Sequence, residues 1–502
     1  MRSYEPVRGG VLREGYDYDF SRCDPGTGAH VDPAWCAIYE TLTATGPDGV
    51  LGPMLAESWA PAGDYSSWRF KIRPGKRFHS GDACDAQAVA AAMRLHADPI
   101  ESPINAFFWK NVKAIDADGD EVVLALHEPA SAPPRLLRSW HSAIHDQATR
   151  ERLGEGYGHG SADGTGPFRL ITHRLGEVME VERVATYVGP GAAFQQNPGP
   201  AHLDGVRWLP ILSESDRAGA LEDDEVDCIQ NASIFDFERL SANPDLEVIE
   251  FQQSALVYLG LDHLASAHGF DDVRVRRAVS LAIDRPALVS EELAGHGWPA
   301  FSPIPSCSPW YDAAVEEQRS FDPRQAVELL EQAGRVAGPD GVRISVEAVI
   351  VEDATVRRTA RRICKMLSEI GVELRLREVS GFAALYAELM RHPDAFISKW
   401  FWPEPVDAII GFVSSWSQTG PNFQRANSAE IDAACRRWER ALGTAEQQAA
   451  AKAIQNACVQ DVPLVPLFFP VAIWAHHRRV RGWRPHVHDL YPLYADVWLE
   501  RD

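Results

Sequence analysis

A chain of 502 residues, 45% hydrophobic and 24% charged, is long enough to bury more than one core and falls in the folded globular class. Its net charge of −22 repels phosphate backbones and anionic lipid headgroups, so nucleic acid and membrane surfaces are poor partners and cationic or neutral ligands are favoured. The longest apolar run, Leu464 to Ala475, is shorter than the ~20 residues a bilayer crossing requires and is broken by Pro466 and Pro470, so no membrane insertion is expected.

Met1 to Leu12 (MRSYEPVRGGVL) holds neither an apolar stretch of ~7 to 15 residues nor a small-residue cleavage site. Two locations follow: extracytoplasmic if a leader was trimmed, cytoplasmic if Met1 is the natural start. Further on, WRFKIRPGKRF alternates Trp68, Phe70 and Ile72 with Arg69, Lys71 and Arg73 and turns at Pro74-Gly75, the period-two mark of a half-buried hairpin. Asp85 then caps an alanine-rich helix from about Ala86 to His96, and Val122 to Leu126 reads as a strand. The Gly/Pro-rich stretch Tyr187 to Pro200 reads as surface loop.

From residue 323 onward helix and strand alternate. Ala326, Leu329, Leu330 and Ala333 share a helix face, Val342 to Val351 is a strand, Val356 to Ile370 carries a helical apolar stripe, and Val372, Leu374 and Leu376 alternate with charge. This is an α/β layer. A helix with Ile431, Cys435, Trp438 and Leu442 follows, then one opened by a capping box at Thr444 and Gln447, and DVPLVPLF returns to extended chain.

Eight scattered cysteines show no C-x-x-C pair and no zinc spacing, so neither a metal nor any other cofactor is expected, and free thiols suit a reducing compartment. His476-His477 reads as a solvated turn. Catalytic signatures are scarce: there is no G-x-S-x-G, no H-E-x-x-H and no phosphate-cradling glycine loop.

Several blocks, in one order, resemble the peptide/nickel class of family 5 extracellular solute-binding proteins of ABC importers. They include LAESWAP (Leu55 to Pro61), FKIRPGKRFHSGD (Phe70 to Asp82), GTGPFRL (Gly164 to Leu170), LDGVRW (Leu203 to Trp208), EVDCI (Glu225 to Ile229), DDVRVRRAVSLAIDRPALV (Asp271 to Val289), FDPRQAVELLEQAG (Phe321 to Gly334) and DVPLVPLF (Asp461 to Phe468). The resemblance implies an α/β, two-lobe periplasmic-binding-protein-like fold of the class II, large dipeptide/oligopeptide-binding type, with a hinge and an interlobe ligand cleft. It also implies lobe I at 1–258 with an inserted subdomain at about 45–165, lobe II at 259–469 and a C-terminal return to lobe I at 470–502. Chain crossings are expected near Tyr258 to Asp262 and near Pro466 to Pro470. A monomer working with an ABC permease is the implied assembly.

Peptide-binding members carry W-x-x-D-x-x-D-P, whose first Asp pairs with the ligand's α-amino group. In KWFWPEPVD (Lys399 to Asp407), aligning the last acid-Pro on Glu404-Pro405 puts Phe401 where that Asp would stand. A buried ammonium without a counter-ion is costly, so an ordinary peptide is disfavoured. Trp400, Phe401 and Trp402 offer flat faces to an aromatic or amine-bearing small molecule, and Glu404 offers a charge. The family layout adds Tyr16, Asp17 and Tyr18, Trp140 and His141, Asp262, and Asn422 with Phe423 as ligand-binding candidates. For each, a structural role remains open: core for the aromatics, solvated loop for Tyr16 to Tyr18, surface position for His141, hinge hydrogen bond for Asp262.

Two functions stand side by side. One is a solute receptor for import of a small organic ligand. The other is a cytoplasmic, cofactor-free enzyme of natural-product biosynthesis on the same fold, such as a Pictet-Spengler-type condensation of an aryl-ethylamine with an aldehyde, with Glu404 as general acid/base.

Overall fold

The computed structural model describes residues 5–17, 22–26, 33–46, 50–189, 191–197, 199–316, 321–401, 405–417, 421–485 and 493–500. The chain divides into two compact units, 1–251 with 472–502, and 252–471. The division falls ahead of Tyr258, which lies inside the second unit's strand Ala255–Leu261.

Unit 1 is built on a seven-stranded mixed sheet in the order Leu246–Gln252, Val471–His477, Cys228–Ile229, Val11–Tyr16, Gly205–Pro210, Val178–Arg183, Phe168–Arg174. Val11–Tyr16 runs parallel to both of its neighbours. Its core collects Leu12, Trp35, Trp208, Trp474, Trp483 and Tyr494, so residues from both ends of the chain share one apolar cluster.

A second, four-stranded antiparallel sheet in unit 1 orders Ala56–Pro61, Ser67–Ile72, Glu121–Leu126 and Val112–Asp118, and the helix Ala86–Ala97 covers it. Trp68, Phe70 and Ile72 are buried while Arg69 and Lys71 are exposed, as the alternation predicts. The partners differ from the expected hairpin: this strand pairs with Ala56–Pro61 before it and Glu121–Leu126 after it, not across Pro74-Gly75. Beyond the turn, an isolated antiparallel bridge joins Arg77 and Ala83. Asp85 caps the helix, accepting from Gln87 and Ala88 N–H at 3.0 Å each.

Unit 2 is an α/β layer on a six-stranded sheet ordered Trp298–Pro299, Val465–Phe469, Ala255–Leu261, Ala395–Phe401, Ile344–Val351, Val372–Val379. Ile344–Val351 pairs in parallel with Val372–Val379 through the helix Ala354–Ser368, as the alternating pattern requires. The helices Pro405–Val413, Ala429–Arg440 and Thr444–Asp461 enclose one core with Leu256, Phe396 and Trp400.

Three local expectations are corrected. Leu442 lies past the end of its helix and is exposed, because the helix stops at Arg440. No capping box forms at Thr444: Gly443 is the N-cap, and Glu446 instead accepts from the Leu442 N–H at 3.0 Å. His476 and His477 are buried at the end of a strand, where His477 Nε2 donates to the Leu221 carbonyl at 2.9 Å and His476 lies edge-on to Trp483. The loop beginning at Tyr187 is likewise anchored, since the Tyr187 ring is buried and its hydroxyl bonds Glu40.

Candidate functional site

The strand Ala395–Phe401 brings KWF to the edge of the unit 2 core. Trp400 stands opposite Leu256 and Phe401 opposite Ala255 on the antiparallel neighbour. Successive side chains leave a strand on opposite faces, so the two rings separate. Trp400 enters the core, 4% exposed, and Phe401 is half-buried on the other face. Trp400 and Phe401 therefore do not share one surface. Trp402 and Glu404 lie outside the described residues.

Around Trp400 the chain assembles aromatics that are distant in sequence. Its indole stacks on Phe412 (5.9 Å, 28°), and Tyr258 meets Phe412 edge-on at 6.1 Å and Phe396 at 5.8 Å. Phe423 packs edge-on against Phe396 and Phe412, both at 6.3 Å. Three buried polar atoms in this cluster have no hydrogen-bond partner among the described residues: Trp400 Nε1, Tyr258 Oη and Gln424 Oε1. The Gln424 amide N–H donates to the Phe412 carbonyl at 2.5 Å, which ties it to the same spot. These two donors and one acceptor are buried polar atoms set among aromatic faces of the unit 2 core. The sequence reading missed Phe412 and Gln424 and took Tyr258 only as a crossing, because nothing local pairs residues so far apart.

Asn422 and Asp262 are committed elsewhere. Asn422 Nδ2 donates to the carbonyls of Ser414 and Ala426, and its Oδ1 accepts from Ala426 N–H, so its amide fixes the loop that carries Phe423. Buried Asp262 accepts from Arg425 Nε at 2.8 Å, pairs with the second guanidinium nitrogen, and accepts from Leu264 N–H. That ion pair raises the pKa of Arg425, the hydrogen bond it donates to Asp262 being the largest cause.

In unit 1, Tyr16 closes the strand Val11–Tyr16 and is buried in the same cluster as Trp140. Asp17 follows at the carboxyl end of the middle one of three parallel strands, the usual place for ligand contacts in open α/β sheets, and accepts from Asn231 Nδ2 at 3.0 Å. Tyr18 lies outside the described residues. Beside Asp17 sits Arg217, buried, donating to the carbonyls of Ile211 (2.7 Å), Leu212 (3.0 Å) and Asn231 (2.8 Å). Burial lowers its pKa, and the Asp17 charge is the foremost opposing influence. His141 is half-buried and stacks on Phe108 (6.3 Å, 20°).

Among the described residues, no group of three or more His, Cys, Asp and Glu side chains could hold a metal ion. Burial pushes the Glu14 carboxyl up to about 7, against hydrogen bonds from Tyr494 and Gln230. It is fully buried.

Comparison with known proteins matches residues 50–422 to the family described as bacterial extracellular solute-binding proteins, family 5 Middle. The glutathione-binding protein GsiB of Escherichia coli (strain K12) is 24% identical over 467 residues, covering 89% of this chain and 86% of GsiB. Among solved structures, the periplasmic binding protein DppA of Helicobacter pylori in complex with the peptide STSA superposes with a TM-score of 0.82 at 21% identity, covering 99% of both chains. The binding protein AgaA of A. tumefaciens R10 in complex with agropinic acid also gives 0.82 at 21% identity, covering 98% of this chain and 99% of that one. Both are two-lobe α/β binding proteins, and this chain has their fold. With a family model spanning most of its length, the chain belongs to the family 5 bacterial extracellular solute-binding proteins.

Proposed function

We propose that this protein is a solute receptor for ABC import which captures, outside the cytoplasm, a small organic ligand with aromatic or amine character rather than an ordinary peptide. The observation that carries the reading is the Trp400 indole, stacked on Phe412 with its Nε1 uncommitted, one residue before the position where the peptide-binding motif would place its ammonium-pairing acid and this chain has Phe401. Relatives of this fold hold a peptide in one case and agropinic acid in another, so the scaffold leaves the ligand class to the side chains. The enzyme alternative has Glu404 as its acid/base, outside the described residues, and is supported only by the eight free cysteines, which suit a reducing compartment.

Thermal-shift measurements against aryl-ethylamines, aromatic amino acids, glutathione and short peptides test the reading. A ligand that binds only the folded state raises the midpoint by mass action. The reading expects shifts from aromatic amines and none from glutathione or tetrapeptides. Stabilisation by peptides, with none by aromatic amines, overturns it.

A further inference from the structure

Unit 1 also contains a group of fully buried polar side chains around His96, on the helix Ala86–Ala97. The short helix Pro103–Trp109 and its preceding residue present Ser102, Asn105 and Trp109 at i, i+3 and i+7, one helical face, towards the helix Ala86–Ala97 that carries His96. Trp109 stacks on the His96 ring (6.1 Å, 26°), and His145 meets the same ring edge-on at 5.5 Å. Asn105 Nδ2 lies 3.1 Å from His96 Nδ1 and donates to the Pro25 carbonyl at 2.9 Å.

Their hydrogen bonds fix what each atom can still do. The Asn105 amide N–H can only donate, so His96 Nδ1 accepts and His96 Nε2–H donates to the Ala143 carbonyl at 2.9 Å. Gln147 Nε2 donates to Glu151, which turns Gln147 Oε1 towards His145 Nε2 at 3.0 Å; His145 Nε2 therefore carries the proton and Nδ1 is a lone-pair acceptor. Four atoms are left without a partner among the described residues: the acceptors Asn105 Oδ1 and His145 Nδ1, the donor Trp109 Nε1, and the Ser102 hydroxyl. All four belong to side chains no more than 2% exposed.

An ammonium has no lone pair for the Trp109 N–H, and a carboxylate would face two acceptors. A guest with both hydroxyl protons and lone pairs matches the set. We propose that this is an internal hydration site, in which ordered water donates to Asn105 Oδ1 and His145 Nδ1 and accepts from Trp109 Nε1 and the Ser102 hydroxyl. Buried water characteristically joins polar groups that the chain cannot pair directly. Here it links the helix Pro103–Trp109, the histidine of its neighbour and the segment around His145 into one joint.

Two measurements test this. A high-resolution crystal structure of the wild-type chain should show solvent density within hydrogen-bonding distance of at least two of the four atoms. Water ¹⁷O relaxation dispersion should count at least one fewer long-lived internal water in His145→Phe, provided circular dichroism shows the fold intact. The proposal is overturned if the crystal shows the four atoms paired with protein groups or facing an empty space, or if the folded variant keeps the wild-type count. Should His145→Phe fail to fold, the crystal result on the wild type decides alone.

Discussion

Glu14, in the first strand, and Tyr494, close to the C-terminus, are joined by a 2.9 Å hydrogen bond from the Tyr494 hydroxyl to Glu14 Oε2. Gln230 Nε2 donates to Oε1 at 2.5 Å and Trp208 Nε1 donates to the Tyr494 hydroxyl at 3.1 Å, so a buried polar chain ties the C-terminal segment to the central strand of unit 1.

This carboxyl makes stability depend on pH with a definite sign. Burial raises its pKa from 4.5 to about 7, so between those values the folded protein holds a proton that the unfolded chain has released. The contribution of Glu14 to stability is therefore fully present below about pH 4.5, falls as pH rises towards 7, and levels off above it, a loss of roughly 3 kcal/mol at ~1.4 kcal/mol per unit. Glu14→Gln, neutral throughout, should flatten that part of the profile. Urea unfolding at pH 5 and pH 8 on both proteins measures it, and equal slopes in the two would refute the assignment.

Lys76 and Glu40 form a buried ion pair, with side chains 3% and 1% exposed and Lys76 Nζ 3.0 Å from both carboxylate oxygens. Tyr187 donates to Glu40 Oε1 at 2.9 Å and lays its ring 4.7 Å from the ammonium. Removing one partner strands the other charge. Lys76→Met should cost ~3 to 5 kcal/mol, and adding Glu40→Gln should restore part of it. Denaturant midpoints of Lys76→Met, Glu40→Gln and the double variant check this; a double variant weaker by the full sum of the singles would argue against a coupled pair.

Much of this fold could be read from local pattern. The Asp85 cap, the Trp68-Phe70-Ile72 alternation and the strand-helix-strand unit from Ile344 to Val379 follow from propensities that act within a few residues. What could not be read was partner choice. Ser67–Ile72 pairs with strands on either side of its expected mate, since turn chemistry at Pro74-Gly75 only permits a reversal and sheet packing decides the neighbour. The candidate residues divide in the same way. Trp400 and Phe401, adjacent in sequence, were legible as aromatics on alternate faces of a strand, but which face is buried, the stacking of Phe412 and the commitment of Asn422 to three backbone groups are set by contacts the local sequence does not contain.

Asp262 and Arg425 should behave as a coupled pair. Arg425 sits at φ 51°, a left-handed conformation that a non-glycine residue adopts at some cost, and its guanidinium holds a carboxylate that is almost wholly buried. Arg425→Lys keeps the charge but loses the two-pronged geometry, and should destabilise by ~1 to 3 kcal/mol. A double-mutant cycle with Asp262→Asn should give a coupling above ~1 kcal/mol; a coupling near zero would make the pair a surface contact of the weak kind.

Trp400 separates a core role from a binding role, provided two substitutions are compared. Trp400→Ala removes an indole from a filled core and should cost ~3 to 5 kcal/mol of stability, whichever role it has. Trp400→Phe keeps a ring against Phe412 and deletes only the unpartnered N–H with part of the ring, so stability should change by less than ~1.5 kcal/mol. If the indole N–H bonds the ligand, Trp400→Phe should still weaken binding by ~1 to 3 kcal/mol, about five- to 150-fold in dissociation constant. Calorimetric titration with the ligand found by thermal shift, beside denaturant unfolding of each variant, measures both. A Trp400→Phe protein that is as stable as wild type and binds as tightly would confine Trp400 to the core and remove the observation on which the ligand assignment rests.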